Sequence, residues 1–366
     1  MKKCLIVAVS VLFFSCNGTK ESGLMEVFVD VNQNVSLSLS TIAQEIKAIE
    51  LELTDESIIN PDRIIRVLLT ENIVVIAERT KILVFNIDGT FIRSIGSRGQ
   101  GPGEFVNIRN IALDEKNKRL FVSTSSSKLI CYDLEGNYIK DSLLASNLSL
   151  KDMNHINSDL LIITEQPSGS DSKGFFQHSA VFKLNNDLQI IDSCTIRDTY
   201  FEKPAMFVSP YDNFIFYNND IVYIYNPDIY FNEQMPLETV LRDTLYSLKN
   251  NHLIPELKLK FTDNGIDGYG NKYIQLFNIY RSSQYVFAFY HNDNSKHFFY
   301  FCYDTKTGTG YNMQDGFTDD IHQIEERVNI RPLITNTDFF YYWHTHMKPD
   351  DFEEPNPTLY VGKLKK

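Results

Sequence analysis

Cysteine is scarce in this chain of 366 residues, and its spacing fits neither a disulfide framework nor a zinc knuckle. There are five cysteines and no Cys-x-x-Cys pair. Beyond Cys4 and Cys16, which lie near the N-terminus, an odd number remains, namely Cys131, Cys194 and Cys302. An odd count without paired spacing argues against both kinds of site, so we expect these three to be small buried hydrophobic side chains.

Basic residues are also fewer than acidic ones. The chain has 35 Lys and Arg against 47 Asp and Glu, which gives a formal net charge of −12. Removal of residues 1–15, which contain Lys2 and Lys3, changes this charge to −14 (−12 − 2). Because phosphate binding relies on clustered Lys and Arg, this composition argues against a nucleic-acid partner.

Long helical periodicity is missing, and so are common catalytic motifs. The sequence has no Gly-x-Ser-x-Gly elbow and no zinc-protease helix pattern, and the glycine-rich run at 96–103 lacks the Lys-Ser/Thr of a P-loop. We therefore predict neither a cofactor nor a metal ion. Aromatic side chains, in contrast, are abundant, with 26 Phe and 20 Tyr, and these fit half-buried pleated strands better than helices.

The N-terminus has the pattern of a secretory signal. Lys2 and Lys3 are followed by an apolar stretch from Leu5 to Phe14 and then by Ser15-Cys16. This stretch is too short to span a bilayer but has the length of a signal-peptide core. A cysteine directly after a small residue resembles a lipobox, in which the cysteine is lipidated and becomes the new N-terminus.

These features predict a lipoprotein signal peptide over residues 1–15, lipidation of Cys16, and a lipidated tether and lead-in over residues 16–44. The small polar residues at 17–23 fit a flexible tether. The predicted location is the cell envelope, with the protein lipid-anchored at the outer membrane and either periplasmic or surface-exposed. An ordinary signal peptide with a soluble product is the alternative.

An internal repeat is the strongest signal in the body of the chain. Residues 82–93 (ILVFNIDGTFIR) and residues 129–140 (LICYDLEGNYIK) match without gaps at an offset of 47. Each copy is a hydrophobic strand, an acidic residue with glycine, and a second alternating strand. The glycine supplies the positive φ that a tight hairpin turn requires, so each copy predicts a β-hairpin.

Weaker copies of this unit recur at 179–190, 244–254 and 298–311, and a half-copy at 358–364 ends the chain, which makes six anchors in all. Their starts are separated by about fifty to sixty residues, the size of one four-stranded propeller blade. The half-copy lacks a second strand, while residues 45–53 (EIKAIELEL) form an alternating strand without a partner. Pairing these two would complete the sixth blade and leave no open edge in the ring.

The sequence therefore predicts an all-β, six-bladed β-propeller of four-stranded antiparallel blades over residues 45–366, closed by an N-terminal strand. The same architecture places Cys131 and Cys302, each in a Cys-Tyr-Asp triplet, on equivalent strands of different blades. A disulfide needs Cα atoms within about 7 Å of each other, and non-adjacent blades cannot bring two residues that close. We therefore predict that both cysteines are free thiols.

Residues 96–105 have the pattern Gly-x-x-Gly-x-Gly-Pro-Gly-Glu-Phe and are followed by IALD at 111–114 and LFV at 120–122. This combination resembles the six-bladed β-propeller lipoproteins of Gram-negative bacteria, relatives of the NHL-repeat propellers. The resemblance extends over roughly residues 45–366 and implies a propeller fold without a defined activity. Residues 123–127 replace the acidic residue that NHL-type blades carry after this strand, so an NHL binding mode is not carried over.

Two groups of residues are candidate ligand contacts. Trp343 is the single tryptophan, and His344 and His346 form an H-x-H pair that a strand would place on one face, where neutral imidazoles contact a ligand or hold a metal. Arg98 and Gln100 lie in the glycine-rich loop and would contact an acidic or sugar ligand or stabilise the turn. For both groups, an ordinary structural role is the alternative.

A tyrosine-rich stretch offers either stacking surfaces for sugar rings or packing within a blade; it contains Tyr211, Tyr217, Tyr223, Tyr225 and Tyr230. Taken together, the residues favour a monomeric, membrane-anchored binding module for a glycan, a peptide or an envelope protein. The alternative is a carbohydrate- or peptide-acting hydrolase or lyase. Its site would lie in the propeller channel and use the two histidines with nearby acids such as Asp350 and Asp351.

Overall fold

The computed structural model describes residues 24–125, 127–145, 148–172, 174–201, 214–226, 243–263, 265, 273–346 and 355–366. The described chain is almost entirely β-structure. It begins with β1 (Met25–Val29), the one-turn helix α1 (Leu39–Ile42) and β2 (Ala43–Glu50), followed by a 3-10 turn at Pro61–Arg63. Within these residues, no helix is long and apolar enough to cross a membrane.

The first three antiparallel sheets are consecutive in sequence, and we call them blades 1 to 3. Blade 1 contains β3 (Ile64–Leu69), β4 (Ile73–Glu78), β5 (Ile82–Asn86) and β6 (Phe91–Ser94). A short parallel pair, β7 (Ser97–Arg98) and β8 (Glu104–Phe105), precedes blade 2, which contains β9 (Ile108–Asp114), β10 (Arg119–Thr124), β11 (Lys128–Asp133) and β12 (Tyr138–Leu143). Blade 3 contains β13 (Ser149–Ile156), β14 (Asp159–Asp171), β15 (Gly174–Leu184) and β16 (Ile190–Phe201).

Blades 4 to 6 complete the ring. Blade 4 contains β17 (Ile215–Asn218), β18 (Ile221–Ile224), β19 (Thr244–Lys249) and β20 (His252–Phe261). Blade 5 contains β21 (Ile274–Arg281), β22 (Tyr285–Asn292), β23 (His297–Asp304) and β24 (Thr309–Gln314), and the hairpin β25 (Phe317–Asp319) and β26 (Ile324–Val328) follows it. Blade 6 contains β27 (Arg331–Pro332), β28 (Phe339–His344), β29 (Thr358–Leu364) and the N-terminal β2.

The predicted closure of the ring is confirmed. Strand β2 pairs antiparallel with β29 from Ala43 opposite Leu364 to Glu50 opposite Thr358. The strand ends at Glu50 rather than at the expected Leu53, because the chain then turns to blade 1, where the Glu52 amide donates to the Gly89 carbonyl. The outer strand of blade 6 thus also contacts the next blade in the ring.

The sequence repeat corresponds to the third and fourth strands of blades 1 and 2, as predicted. Gly89 and Gly136 occupy the same turn position, with φ of 93° and 91°. A Cβ at Gly89 would lie 1.9 Å from the Glu50 carbonyl oxygen, so this turn needs glycine for its conformation and for the close approach. Cys131 and Cys302 lie on the third strands of blades 2 and 5 and are both buried and free, which confirms that prediction.

The ordered fold begins before residue 45, where the sequence analysis placed its start. Strand β1 pairs in parallel with β20 and becomes a fifth strand of blade 4. The chain then passes the outer strand of blade 5, where the Val35 amide donates to the Asn312 carbonyl, and reaches blade 6 through α1. We call residues 25–42 the N-terminal strap. A five-residue parallel strand has no hairpin partner in the sequence, which is why the repeat analysis did not include it.

The turns between first and second strands, and between third and fourth strands, lie at one end of the ring, which we call the turn face. The blade-to-blade connections lie at the opposite end, which we call the loop face. Hydrophobic clusters fill the spaces between adjacent blades; one of them packs Ile49 and Leu333 of blade 6 with Val67 and Phe85 of blade 1. The two faces are therefore held by a rigid packed ring, and they are the surfaces on which a site can be built.

Candidate functional site

The inner strands share a bulge that places polar side chains at equivalent positions. The register shifts by one residue early in β3, β9, β13 and β21. The residues after the extra position are Arg66, Asn110, Asp152 and Asn278, and each is at most 3% exposed. A bulge re-aims a side chain, so four of the inner strands present a buried polar group where ordinary alternation predicts none.

Asp152 is the centre of a hydrogen-bonded hub that joins blades 1 to 4. Its Oδ1 accepts from Arg66 Nη2 at 2.6 Å and from Asn110 Nδ2 at 2.8 Å. Its Oδ2 accepts from the amides of Phe214 at 2.7 Å and Ile215 at 2.9 Å. Arg66 also donates to the Met153 carbonyl oxygen at 2.6 Å. These bonds join the inner strands of blades 1 to 4 directly, so we assign the hub a structural role.

His155, at the end of the same inner strand, is a second buried titratable group. It stacks on Phe121, and its Nε2 lies 3.5 Å from Asp114 Oδ2. Burial lowers the pKa of His155, and the carboxylates of Asp114 and Asp159 oppose this effect only partly. The folded protein therefore favours the neutral imidazole.

We expect the unfolding free energy to fall as the pH drops below about 6.5, the value for an unperturbed histidine. The unfolded chain binds the proton more readily, so stability is full above that pH and is lost as the pH falls toward the folded pKa of His155. Urea unfolding at pH 8 and pH 5.5 measures this loss. The variant His155→Gln should show a smaller loss, while the exposed-site control His252→Gln should behave like the parent; equal pH dependence in all three would contradict the assignment.

The glycine-rich loop is held by backbone contacts and by Glu104. Glu104 Oε2 accepts from the Gly101 amide at 2.7 Å, and Tyr132 Oη donates to the Gly103 carbonyl at 2.6 Å. The side chains of Arg98 and Gln100 are exposed on the loop face. Arg98 and Gln100 are thus exposed surface groups. Glu104 stabilises the turn instead, and its position in the Gly-Pro-Gly-Glu motif could have suggested this role.

The structure separates Trp343 from the two histidines. Trp343 packs against Tyr341 and lies under the Arg331 guanidinium, whose Cζ is 4.5 Å from the ring centroid. The rings of His344 and His346 meet edge to face at 4.5 Å, as the alternation of a strand predicts. The tryptophan and His344 therefore lie on opposite faces of β28, and His346, just beyond the end of the strand, joins His344.

Residues that the sequence analysis did not single out surround this pair. Tyr360 stacks on Tyr342 at 4.8 Å, and His322 lies 4.6 Å from the Tyr360 ring. Burial raises the pKa of Tyr360, and its hydroxyl forms a hydrogen bond of 2.6 Å with His346 Nε2, whose direction is set by the imidazole tautomer. Burial, followed by the neighbouring His344, lowers the pKa of His346.

In this cluster His346 is bonded to a tyrosine, while His322 Nδ1 lies 3.4 Å from the buried carboxylate of Asp319. Among the residues that the structure describes, no group of three or more His, Cys, Asp or Glu side chains is arranged to hold a metal ion. The acids considered from the sequence, Asp350 and Asp351, lie outside the described residues. The histidine cluster is therefore a hydrogen-bonded and stacked junction on the loop face.

The turn face carries an extended groove that the sequence analysis missed. Its larger part, of about 530 Å³, lies between blade 6 and blade 1, and a second part of about 320 Å³ lies between blades 1 and 2. Thr70 and Glu115 line both parts, so the two adjoin at these residues, and we call them together the turn-face groove. Its walls come from strands and turns spread over the sequence from residue 45 to residue 363, which explains why no local motif revealed it.

The groove has an apolar floor and a charged rim. The floor of the larger part is formed by Ile49, Leu69, Ile87, Leu333, Phe339 and Val361. Its rim carries Lys47 and Lys363 on blade 6, with Glu71 and Glu115 on the turns of blades 1 and 2. The smaller part adds Arg93 and Lys118. Such a site offers hydrophobic contact with a few charged groups that orient a ligand.

A buried carboxylate fixes the turns of blades 4 to 6 beside this groove. Asp338 accepts from Asn218 Nδ2 at 2.9 Å, from the Ser283 amide at 2.6 Å and from Lys366 Nζ at 2.8 Å. Burial alone would raise its pKa, but these donors outweigh it and hold the pKa at about 2. Asp338 is therefore ionised at neutral pH and ties three neighbouring turns into one rigid face.

Among solved structures, a Bacteroides fragilis protein named as an exported protein is similar to this chain with a TM-score of 0.65 and 15% identity, over 93% of this chain and 100% of the other. BamB from Moraxella catarrhalis is similar with a TM-score of 0.41 and 11% identity, over 88% of this chain and 99% of the other. No curated protein matches the sequence.

At 15% identity, the likeness to the Bacteroides fragilis protein concerns the fold alone. The family described as "Domain of unknown function (DUF4934)" matches residues 25–365, a range that starts at the N-terminal strap and ends within one residue of Lys366. Because this match covers most of the chain, the protein belongs to the DUF4934 family.

Proposed function

We propose that this protein is a membrane-anchored binding module that holds an extended peptide segment in the turn-face groove. The observation that carries this proposal is the groove itself. Its larger part, of about 530 Å³, falls within the range of volumes usual for ligand sites, about 300–1,000 Å³. It also lies on turns of a rigid ring, and recognition residues are commonly carried by loops on such scaffolds.

The chemistry of the groove favours a peptide over a glycan. Sugar rings stack on exposed aromatic faces, whereas the floor is mostly aliphatic, and its ring, Phe339, has the Lys363 ammonium 6.0 Å from its centroid. Tyr223 and Tyr225, considered from the sequence as sugar-stacking groups, are buried within blade 4. Tyr211 and Tyr230 lie outside the described residues. A peptide supplies both the aliphatic side chains and the charges that this rim would match.

Filling the floor of the groove should weaken peptide binding strongly. Val361 is half-buried, lies on β29 opposite Lys47, and lines the groove, so Val361→Trp would place an indole ring where the peptide side chains sit. Peptides are first selected from a displayed random library on the purified full-length protein. We expect Val361→Trp to weaken the best of them by at least about tenfold, a loss of about 1.4 kcal/mol.

The matched control is Val106→Trp, which makes the same change at a residue 40% exposed on the loop face. It should bind the selected peptide like the parent. Circular dichroism and thermal melting of both variants show whether the propeller remains folded. If a folded Val361→Trp protein binds the peptide with parental affinity, or if the parent selects no peptide, the groove is not the binding site.

The anchoring half of the proposal rests on Cys16, which lies outside the described residues. Two or more acyl chains hold a protein stably on a membrane, whereas one chain alone gives marginal binding. Cys16→Ala should therefore leave the propeller folded but release it from the membrane fraction or leave its signal uncleaved. Fractionation of cells followed by mass spectrometry of the N-terminal fragment measures this. A variant that matures and fractionates like the parent would show that no lipid is attached there.

A further inference from the structure

We infer that the turn-face groove selects extended peptides that carry a basic side chain flanked by acidic ones. This inference rests on the proposed function and names the peptide class for the same groove. It follows from the order in which charges occur along the groove from blade 6 to blade 2. That order is positive, negative, positive, with aliphatic side chains on the floor.

The first zone is positive and lies on blade 6. Lys47 and Lys363 project from the neighbouring strands β2 and β29 and both line the groove. Glu45 stands opposite Lys363 in the pairing and offsets one of the two charges. The remaining positive charge matches an acidic side chain or the carboxyl terminus of a peptide.

The second zone is negative and lies at the middle. Glu71 follows Thr70 in the first turn of blade 1, and Glu115 opens the corresponding turn of blade 2. Both side chains are exposed, and among the described residues neither carboxylate has an ion-pair partner. Because Glu115 and Thr70 line both parts of the groove, a chain running along it must pass this negative zone.

The third zone is again positive and lies between blades 1 and 2. Arg93 projects from β6 and Lys118 from the first turn of blade 2. Glu135 forms an ion pair with Arg93 and offsets its charge, whereas Lys118 remains exposed. Electrostatic complementarity of this kind determines mainly which peptide binds and in which register. It contributes less to the affinity itself.

The test uses the peptide selected on the full-length protein and its charge variants. We expect the selected sequences to share a central Lys or Arg with Asp or Glu on either side. We expect binding at low salt to weaken about three- to tenfold when the central basic residue of the peptide is replaced by alanine. The double variant Glu71→Gln with Glu115→Gln should have an effect of the same size, because exposed ion pairs are individually weak. The effect should shrink at high salt.

Charge reversal gives a stronger version of the same test. Glu115→Lys should bind a peptide with a central Glu better than the original peptide, whereas the loop-face control Glu325→Gln should leave every affinity unchanged. If Val361→Trp blocks binding but the glutamate variants bind like the parent, the groove is correct and the charge inference is wrong. If Val361→Trp does not block binding, the proposed function itself fails.

Discussion

Replacement of Asp152 by alanine is expected to lower the unfolding free energy by about 3–5 kcal/mol, the cost of breaking a buried ion pair. Asp152 is fully buried, and Arg66, its partner, is 2% exposed. Besides Arg66 and Asn110, three backbone amides donate to this carboxylate, those of Met153, Phe214 and Ile215. Asp152→Ala would remove the counter-charge of the buried Arg66 guanidinium, which would keep carbonyl acceptors such as Met153, and would leave several amides without this acceptor inside the protein.

This effect is large because the loss of one partner of a buried ion pair costs more than the intact pair contributes. A satisfied buried ion pair contributes little net stability, but an isolated buried charge is strongly unfavourable. The matched control is Asp187→Ala, because Asp187 forms an ion pair with Lys140 while its side chain is 76% exposed. An exposed pair contributes about 0–1 kcal/mol. Urea unfolding of both variants should separate them clearly, and equal midpoints would show that the hub does not stabilise the ring.

Deletion of residues 357–366 is expected to remove cooperative unfolding altogether. This truncation removes β29, which pairs with β28 on one side and with β2 on the other. Without it, blade 6 retains only β27 and β28, and the edge of β2 loses its partner. A ring that cannot close exposes strand edges and the apolar faces of blades 1 and 5.

The control for this truncation removes only Lys365 and Lys366. It keeps β29 intact and loses peripheral contacts such as the Lys366 ion pair with Asp338. Calorimetry should show one cooperative transition for the control and none for the longer deletion. A longer deletion that melts at the parental temperature would contradict ring closure by the N-terminal strand.

The fold could be predicted because its units repeat in the sequence. The offset of 47 between residues 82–93 and 129–140 identified hairpins that the structure confirms, and the two unpaired strands at the chain ends predicted the closure. The N-terminal strap was missed because β1 is a five-residue parallel strand. The hub was missed because a one-residue bulge turns Arg66 inward within an otherwise apolar strand.

The candidate site was less accessible to sequence reasoning than the fold. Strand alternation predicted that His344 and His346 share a face, and the structure places their rings in contact. The groove is different, because residues such as Thr70, Glu115 and Val361 are ordinary turn or strand residues that come together only when blades 6, 1 and 2 are arranged in the ring. The distinctive residue types in the sequence, such as Trp343 and the two histidines, lie on the loop face. The groove lies on the turn face and forms only when the blades are arranged in the ring.

Hydrogen exchange of the full-length protein with and without the selected peptide tests the central claim most directly. The groove predicts added protection at residues 69–72, 115–118 and 333–336, which form the turns at its rim, with no change around the loop-face cluster at 319–322 and 343–346. Protection confined to that cluster, or no protection on either face at a saturating peptide concentration, would contradict recognition in the turn-face groove.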